Sequence, residues 1–308
     1  MSLAERSGNR TMTIEVELEI SDDAVSAFAR NGFLIRDRII SRAGAERLRD
    51  EMAHSFQGDY DSGLMPDEVN WKPGHDPHVT RQICNVWKSN RALASVILNE
   101  VTGRAVARLN GWPGARLAQD NLLWKPPMAG GVAGGALGMH QDSAYAGWAE
   151  PRLMCTVWIA LDDVTAEGGT MEFARGSHLW NHSAPIGQFH NPKDYRADFR
   201  RAAAAAGVPE PEMVPVEVPM GGGSIHHGWL WHGSGPNRTA HPRRSVVSHC
   251  LSSEARFTGE VGYVYSRYKR VGSDAMDESF FPVLWTGAGG RSGFIDEFTR
   301  GTRNWHAV

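Results

Sequence analysis

Apolar residues recur at helical spacing near the start of the chain, then run together, then return to helical spacing. Ser21 or Asp22 can cap a first helix carrying Ala24, Val25 and Phe28, and Gly32 closes it. Residues 33–40 form a short apolar run and predict a strand. Ser41 then opens a second helix that reaches about Phe56. Residues 57–80 are polar and rich in Gly, Pro and Asp, which predicts a long loop of the kind that often serves function. Helical spacing returns over residues 90–102. From Ala115 onward the texture changes to short apolar runs between Gly/Pro turns: ARLAQDNLLWKP, GALGMHQDSAY, RLMCTVWIALDDV, GTMEFARGSH, GGGSIHHGWLWHGSG and RRSVVSHCLSS. Strands at such spacing predict an antiparallel sandwich or barrel, so the fold class is mainly β with flanking helices.

The length of 308 residues admits one large domain or two small ones. No internal repeat or low-complexity linker divides it, so we read a single domain over residues 1–308. Residues 1–13 read as a polar, disordered tail. The β core spans 115–264, with an insertion near 179–214 that includes the alanine-rich, helical DYRADFRRAAAAAG. Residues 265–308 read as an extension folded over that core. No apolar run approaches 18 residues, so no membrane span is expected. A net charge of −3 and a pI near 6.5 argue against a nucleic-acid partner, which needs a basic footprint. The three cysteines, Cys84, Cys155 and Cys250, are far apart and form no CxxC, so packing roles and a reducing cytoplasm are expected. Eleven tryptophans are more than a plain core needs; their polar N–H suits pocket walls.

Candidate chemistry begins with His140-Gln141-Asp142. In a strand, residues i and i+2 share a face, so His140 and Asp142 would project together. An imidazole and a carboxylate so placed can take adjacent positions on a metal. A third ligand from another strand would complete a triangular face, the arrangement that suits Fe(II) with open positions. By itself HxD is weak, and the bland alternative is a surface His–Asp pair. A second cluster, GGGSIHHGWLWHGSGPN, places His226, His227 and His232 within seven residues. If residues 226–231 are one strand, His226 and His232 share a side and His227 faces away. A basic segment follows, Pro242-Arg243-Arg244-Ser245, and one of its arginines can grip a carboxylate with two parallel hydrogen bonds. Adjacent strand residues face opposite ways, so Arg243 and Arg244 cannot both point inward.

MHQDSAY, VWIALDDVTAEGGTMEFARGSH and WHGSGPNRTAHPRRSVVSHC together resemble the phytanoyl-CoA dioxygenase family, over roughly residues 21–252. These are Fe(II)- and 2-oxoglutarate-dependent oxygenases. The resemblance implies a double-stranded β-helix, or cupin-like jelly roll, decorated with helices. It implies iron on His140, Asp142 and His232, the last opening an HxSxxN stretch. It assigns the co-substrate's far carboxylate to Arg243, eleven positions after that histidine, with Ser234 beside it. It sets Trp158, Gln119 and Asn121 in the co-substrate pocket. Gln141, Tyr145, Trp71, Arg81 and Trp229 are candidates for the substrate side. His178, in a Gly-Ser-His turn, and His249 read as supporting residues, and His75 and His78 as solvated loop histidines.

The implied reaction oxidises a C–H bond of a small-to-medium organic molecule with O2 and releases succinate and CO2; ascorbate is an implied reductant. A carboxylate at Asp142 favours hydroxylation, because family members that halogenate have a small residue there. Two rival classes are a cupin-like zinc hydrolase, which would need a base beside the metal such as Glu172, and a non-catalytic metal-binding barrel. The oligomeric state is not legible in the sequence.

Overall fold

The structure, a computed structural model, describes residues 14–133 and 135–300. The expected tail at 1–13 lies outside the described residues, as do the last eight residues of the expected extension. Helix α1 (Asp22–Asn31) begins at Ser21, whose hydroxyl accepts from the Ala24 N–H at 3.1 Å. It ends at Gly32, which holds φ +83°, a left-handed conformation that favours glycine. Strand β1 (Phe33–Arg36) follows, ending four residues before the sequence pattern suggested. Helix α2 (Arg42–Phe56) is capped by Ser41, as expected.

The expected loop at 57–80 contains a two-residue strand, β2 (Glu68–Val69), laid on β3 (Arg81–Cys84). The helical stretch after Asn90 is two helices, α3 (Arg91–Ile97) and α4 (Glu100–Asn110). Asn99 divides them: its side chain accepts from the Val101 N–H at 2.9 Å and starts a new helix.

The β core follows in chain order as β4 (Gly114–Lys125), β5 (Leu137–His140), β6 (Ala149–Glu150), β7 (Cys155–Ala160) and β8 (Met171–Ala174). After helix α5 (Ala197–Ala205) come β9 (Met213–Pro215), β10 (Gly223–His227), β11 (His232–Ser234), β12 (Arg243–Ser252) and β13 (Arg256–Phe257). Strand β14 (Val283–Thr286) and helix α6 (Ile295–Arg300) complete the described chain. The large sheet runs β1-β10-β7-β12-β4-β3-β2, with β14 also on β4; the small sheet runs β5-β11-β8-β9. All the paired strands named here are antiparallel.

These two sheets make the jelly roll. Alternation along each strand of the large sheet divides its side chains. Cys155, Val157 and Ile159 of β7 join Leu48, Ile97 and Val106 in a core under the helices. Trp158 and Ala160 face the other way and pack with Val247, Phe173 and Met171 between the sheets. A third cluster joins Trp148, Leu251 and Phe257 to Tyr265, Met276 and Phe281 of the C-terminal segment.

Two local expectations are corrected. Asp142 is not on a strand with His140: β5 ends at His140, and Asp142 opens a single 3-10 turn, Asp142–Tyr145. Residues 226–231 are not one strand either. The chain turns at Gly228 and leaves the large sheet, so His226 lies in one sheet and His232 in the other. Gly228 presses on the turn that carries Asp142; a Cβ there would lie 2.2 Å from Ser143 Oγ and 2.5 Å from the Met154 carbonyl oxygen.

Candidate metal centre and co-substrate pocket

His140, Asp142 and His232 come together at the mouth of the sandwich, each offering a ligand atom within 4.8 Å of the others. Register produces this: His232 on β11 pairs directly with His140 on β5. The turn bearing Asp142 is tied from several sides. Ser143 donates its N–H to the Gly228 carbonyl at 2.8 Å, Met154 donates its N–H to Ser143 Oγ at 2.9 Å, and Arg152 donates to the Ser143 and Ala144 carbonyls.

Hydrogen bonds set the chemistry of the three donors. His140 Nδ1 lies 2.8 Å from the Gly138 carbonyl, and His232 Nδ1 lies 2.9 Å from the Leu230 carbonyl. A carbonyl only accepts, so both Nδ1 atoms carry a proton and Nε2 is the nitrogen left on each ring to bind a metal. Those Nε2 atoms stand 3.3 Å and 3.5 Å from Asp142 Oδ1. Burial alone would raise the Asp142 carboxyl, but His232 and His249 hold it well below the usual carboxylate range. Burial works against charge on His232, yet Asp142 raises its pKa, while burial and the charge on His232 lower that of His140. Two imidazoles and an ionised carboxylate converging on one point can hold a cation, and the set suits an octahedral ion with open positions. His226 is the fourth histidine at the site. It is buried, pushed down to about 3 by burial and by His232, and its Nε2 faces the other oxygen, Asp142 Oδ2, at 3.3 Å.

A cavity of about 690 Å³ opens beside these residues. Arg243 reaches it from β12, buried with its pKa lowered to about 10 by that burial. Its Nη2 donates to the Gly169 carbonyl at 3.2 Å, while its Nε has no hydrogen-bond partner. A buried guanidinium that lines a cavity and keeps one N–H donor unsatisfied can receive an anion there. Arg244 faces the other way and grips Asp162, Nε to Oδ2 at 2.9 Å and Nη2 to Oδ1 at 2.6 Å. Ser234, Trp158, Gln119 and Asn121 line the same cavity. Beside Ser234 sits Lys125, wholly buried. Its Nζ donates to Ser234 Oγ at 2.7 Å, and burial and the Arg243 charge hold its pKa well below the usual value.

Sequence comparison bears directly on this site. The family model for phytanoyl-CoA dioxygenase (PhyH) matches residues 28–245, which include all three donors and Arg243. The chain belongs to the phytanoyl-CoA dioxygenase family. Peroxisomal phytanoyl-CoA dioxygenase of Rattus norvegicus is 23% identical over 249 residues, covering 76% of this chain and 69% of the relative. Among solved structures, the non-haem α-ketoglutarate-dependent carbocyclase SnoK from nogalamycin biosynthesis superposes with a TM-score of 0.66 at 21% identity, over 87% of this chain and 99% of that one. The epimerase SnoN, in complex with Fe3+, α-ketoglutarate and nogalamycin RO, gives 0.64 at 19% identity, over 84% of this chain and 96% of that one. At these identities the structures show a common fold. Family membership and the His-Asp-His donor set make the chain an iron- and 2-oxoglutarate-dependent dioxygenase in general class.

Within this dioxygenase fold the remaining candidates divide. Tyr145 lines the cavity. Gln141, Trp71, Arg81 and Trp229 do not. Gln141 is fully buried and donates to the Trp229 carbonyl, because the turn at Asp142 directs it between loops. Trp229 stacks on His182, with ring centroids 3.7 Å apart. Arg81 lies over the Trp71 ring, its Cζ 3.7 Å from the centroid, on the outer side of β3. His178 bonds the Ala29 carbonyl at 3.1 Å, a supporting contact. Sequence reasoning passed over Thr156, Lys125, Phe189 and Tyr265. Strand parity with Trp158 is a signal that would have found Thr156. Phe189 lies in the insertion, its ring 4.7 Å from that of His140, and no periodicity announces it. Glu172, the candidate base for a zinc hydrolase, pairs with Arg196 and does not line the cavity.

Proposed function

We propose that the protein is a hydroxylase that oxidises a C–H bond of a small-to-medium organic metabolite. In this reading His140, Asp142 and His232 hold Fe(II), and Arg243 and Ser234 hold the far carboxylate of 2-oxoglutarate. The observation that carries it is one cavity with two imidazoles and a carboxylate converging at one place and a buried guanidinium with an unpartnered Nε at another. When bound, iron and 2-oxoglutarate supply the activation of O2, with decarboxylation of the co-substrate to succinate and CO2 and oxidation of the substrate.

The chain's own residues bind, orient and exclude water. Lys125 donates to Ser234 Oγ, which leaves the Ser234 hydroxyl proton free to donate to the co-substrate carboxylate. Trp158 forms an apolar wall beside Arg243, with Arg243 Cζ 5.7 Å from its ring centroid. Tyr145, Phe189, His190 and Tyr263 present rings around the outer cavity, which fits a ring-bearing or otherwise bulky substrate. Asp142 occupies the ligand position that halogenation would leave open, which favours hydroxylation. Three free, buried cysteines suit a reducing cytoplasm. Among the described residues no helix is long and apolar enough to cross a membrane.

The test is spectroscopic and then chemical. Anaerobic protein with Fe(II) and 2-oxoglutarate is expected to show a weak visible charge-transfer band that His232→Ala abolishes. An unchanged band in that variant refutes the ligand set. A metabolite screen for stimulated succinate release then identifies the substrate.

A further inference from the structure

One row of side chains crosses the inner face of the large sheet. His226 on β10 is opposite Thr156 on β7, Thr156 is opposite His249 on β12, and His249 is opposite Gln119 on β4. Asn121 lies two residues further along β4, on the same face. All of them line the cavity, and hydrogen bonds join them into one chain that ends at Asp142.

Asn121 Oδ1 receives the Gln119 Nε2–H at 2.8 Å and the Gln82 Nε2–H at 3.0 Å, which fixes its amide orientation. The Asn121 Nδ2 therefore faces His249 Nε2, at 3.1 Å. An amide nitrogen only donates, so His249 Nε2 accepts and its proton sits on Nδ1. Nδ1–H then donates to Thr156 Oγ1 at 2.9 Å. An ionised carboxylate only accepts, so Thr156 donates its own hydroxyl proton to Asp142 Oδ2 at 2.6 Å. At the far end, the Tyr265 hydroxyl donates to Gln119 Oε1. Every bond from Tyr265 to Asp142 runs in one direction, toward the carboxylate.

We propose that Thr156 and His249 are positioning residues that commit Asp142 Oδ2 to the protein, so that Oδ1 alone is presented to a metal. This rests on the ligand assignment above. An unrestrained carboxylate can rotate its ligating oxygen away from a cation, or bind it with both oxygens and so fill a coordination position needed for the co-substrate or O2. Here Oδ2 is capped by the Thr156 hydroxyl and by His226 Nε2, while Oδ1 faces the Nε2 atoms of His140 and His232. Outer hydrogen-bond partners of metal ligands commonly govern affinity by 10- to 100-fold.

The test is calorimetric titration of the full chain with Mn(II) or Co(II), together with the Co(II) visible spectrum. Thr156→Val keeps the side chain's shape and removes the donor; it is expected to weaken metal binding about 10- to 100-fold and shift the Co(II) band, with Thr156→Ser restoring both. His249→Asn places an amide N–H near the position of Nδ1 and is expected to retain wild-type binding. His249→Gln extends the amide toward the Nε2 position and is expected to weaken binding about tenfold. Wild-type affinity and spectrum in Thr156→Val, or equal effects of the two His249 variants, overturn the proposal. If Thr156→Val fails to fold, the His249 pair decides alone. His140→Ala separates the two readings. If it binds metal as tightly as wild type, the ligand set itself is wrong; if it binds weakly while Thr156→Val is normal, only the positioning role fails.

Discussion

Single side chains carry opposite duties within a few ångströms. Arg243 and Arg244 are neighbours in sequence, yet one lies in the cavity and the other grips Asp162, because strand parity turns them to opposite faces. Arg243→Gln is therefore expected to weaken 2-oxoglutarate binding by about 10- to 100-fold, the worth of a charged double hydrogen bond. Arg244→Gln should leave it within about twofold, since its partner is Asp162. The 2-oxoglutarate dependence of succinate release measures both. Lys125 makes a pH-dependent prediction. Its native pKa lies below its unfolded value, held there by burial and then by Arg243. Between those two values the unfolded chain binds the extra proton, so stability rises with pH until the unfolded pKa is passed. Urea unfolding at a series of pH values should show this positive slope in wild type relative to Lys125→Met; parallel curves would contradict it.

At the level of strands and turns, the centre depends on how closely the small sheet's strands approach. Gly233, next to His232 on β11, leaves no room for a side chain: a Cβ would lie 2.8 Å from Met139 Cα on β5. Gly233→Ala must push β11 away from β5, and with it His232 from His140. The expected loss of stability is about 1–3 kcal/mol, as for other overpacked sites. Metal affinity should fall as well, because the pairing that sets the ligand spacing is disturbed. Chemical denaturation and metal titration of the same variant separate the two effects. The helical and capping pattern near the N-terminus was legible in the sequence, since Ser21, Gly32 and Ser41 act locally. The break at Gly228 was not, because its cause is a contact with Ser143 and Met154, 85 and 74 positions away.

Across the whole molecule, the C-terminal segment forms part of the site. Trp148 stacks on Tyr265 with centroids 4.0 Å apart and also meets Phe257 and Phe281. Tyr265 in turn reaches Gln119 inside the cavity. Trp148→Ala is expected to cost about 3–5 kcal/mol, the usual penalty for deleting a buried tryptophan. Limited proteolysis should show the loss concentrated in the segment around Tyr265 and Phe281, with the jelly roll cleaved later. Uniform cleavage throughout would show that the segment is not a separately anchored layer.

The sequence by itself determined the alternation of strands, the helix caps, and the order of His140, Asp142, His232 and Arg243. These depend on local periodicity and on motifs short enough to read in one pass. Its family resemblance extended that reading to fold and general reaction class. Only the tertiary structure decided which arginine faces the cavity, why Glu172 stands apart from the donors, and how Thr156 and His249 meet Asp142. Those outcomes depend on the register between strands distant in sequence and on a turn that lifts Asp142 off its strand, and neither is encoded in the spacing of any one segment.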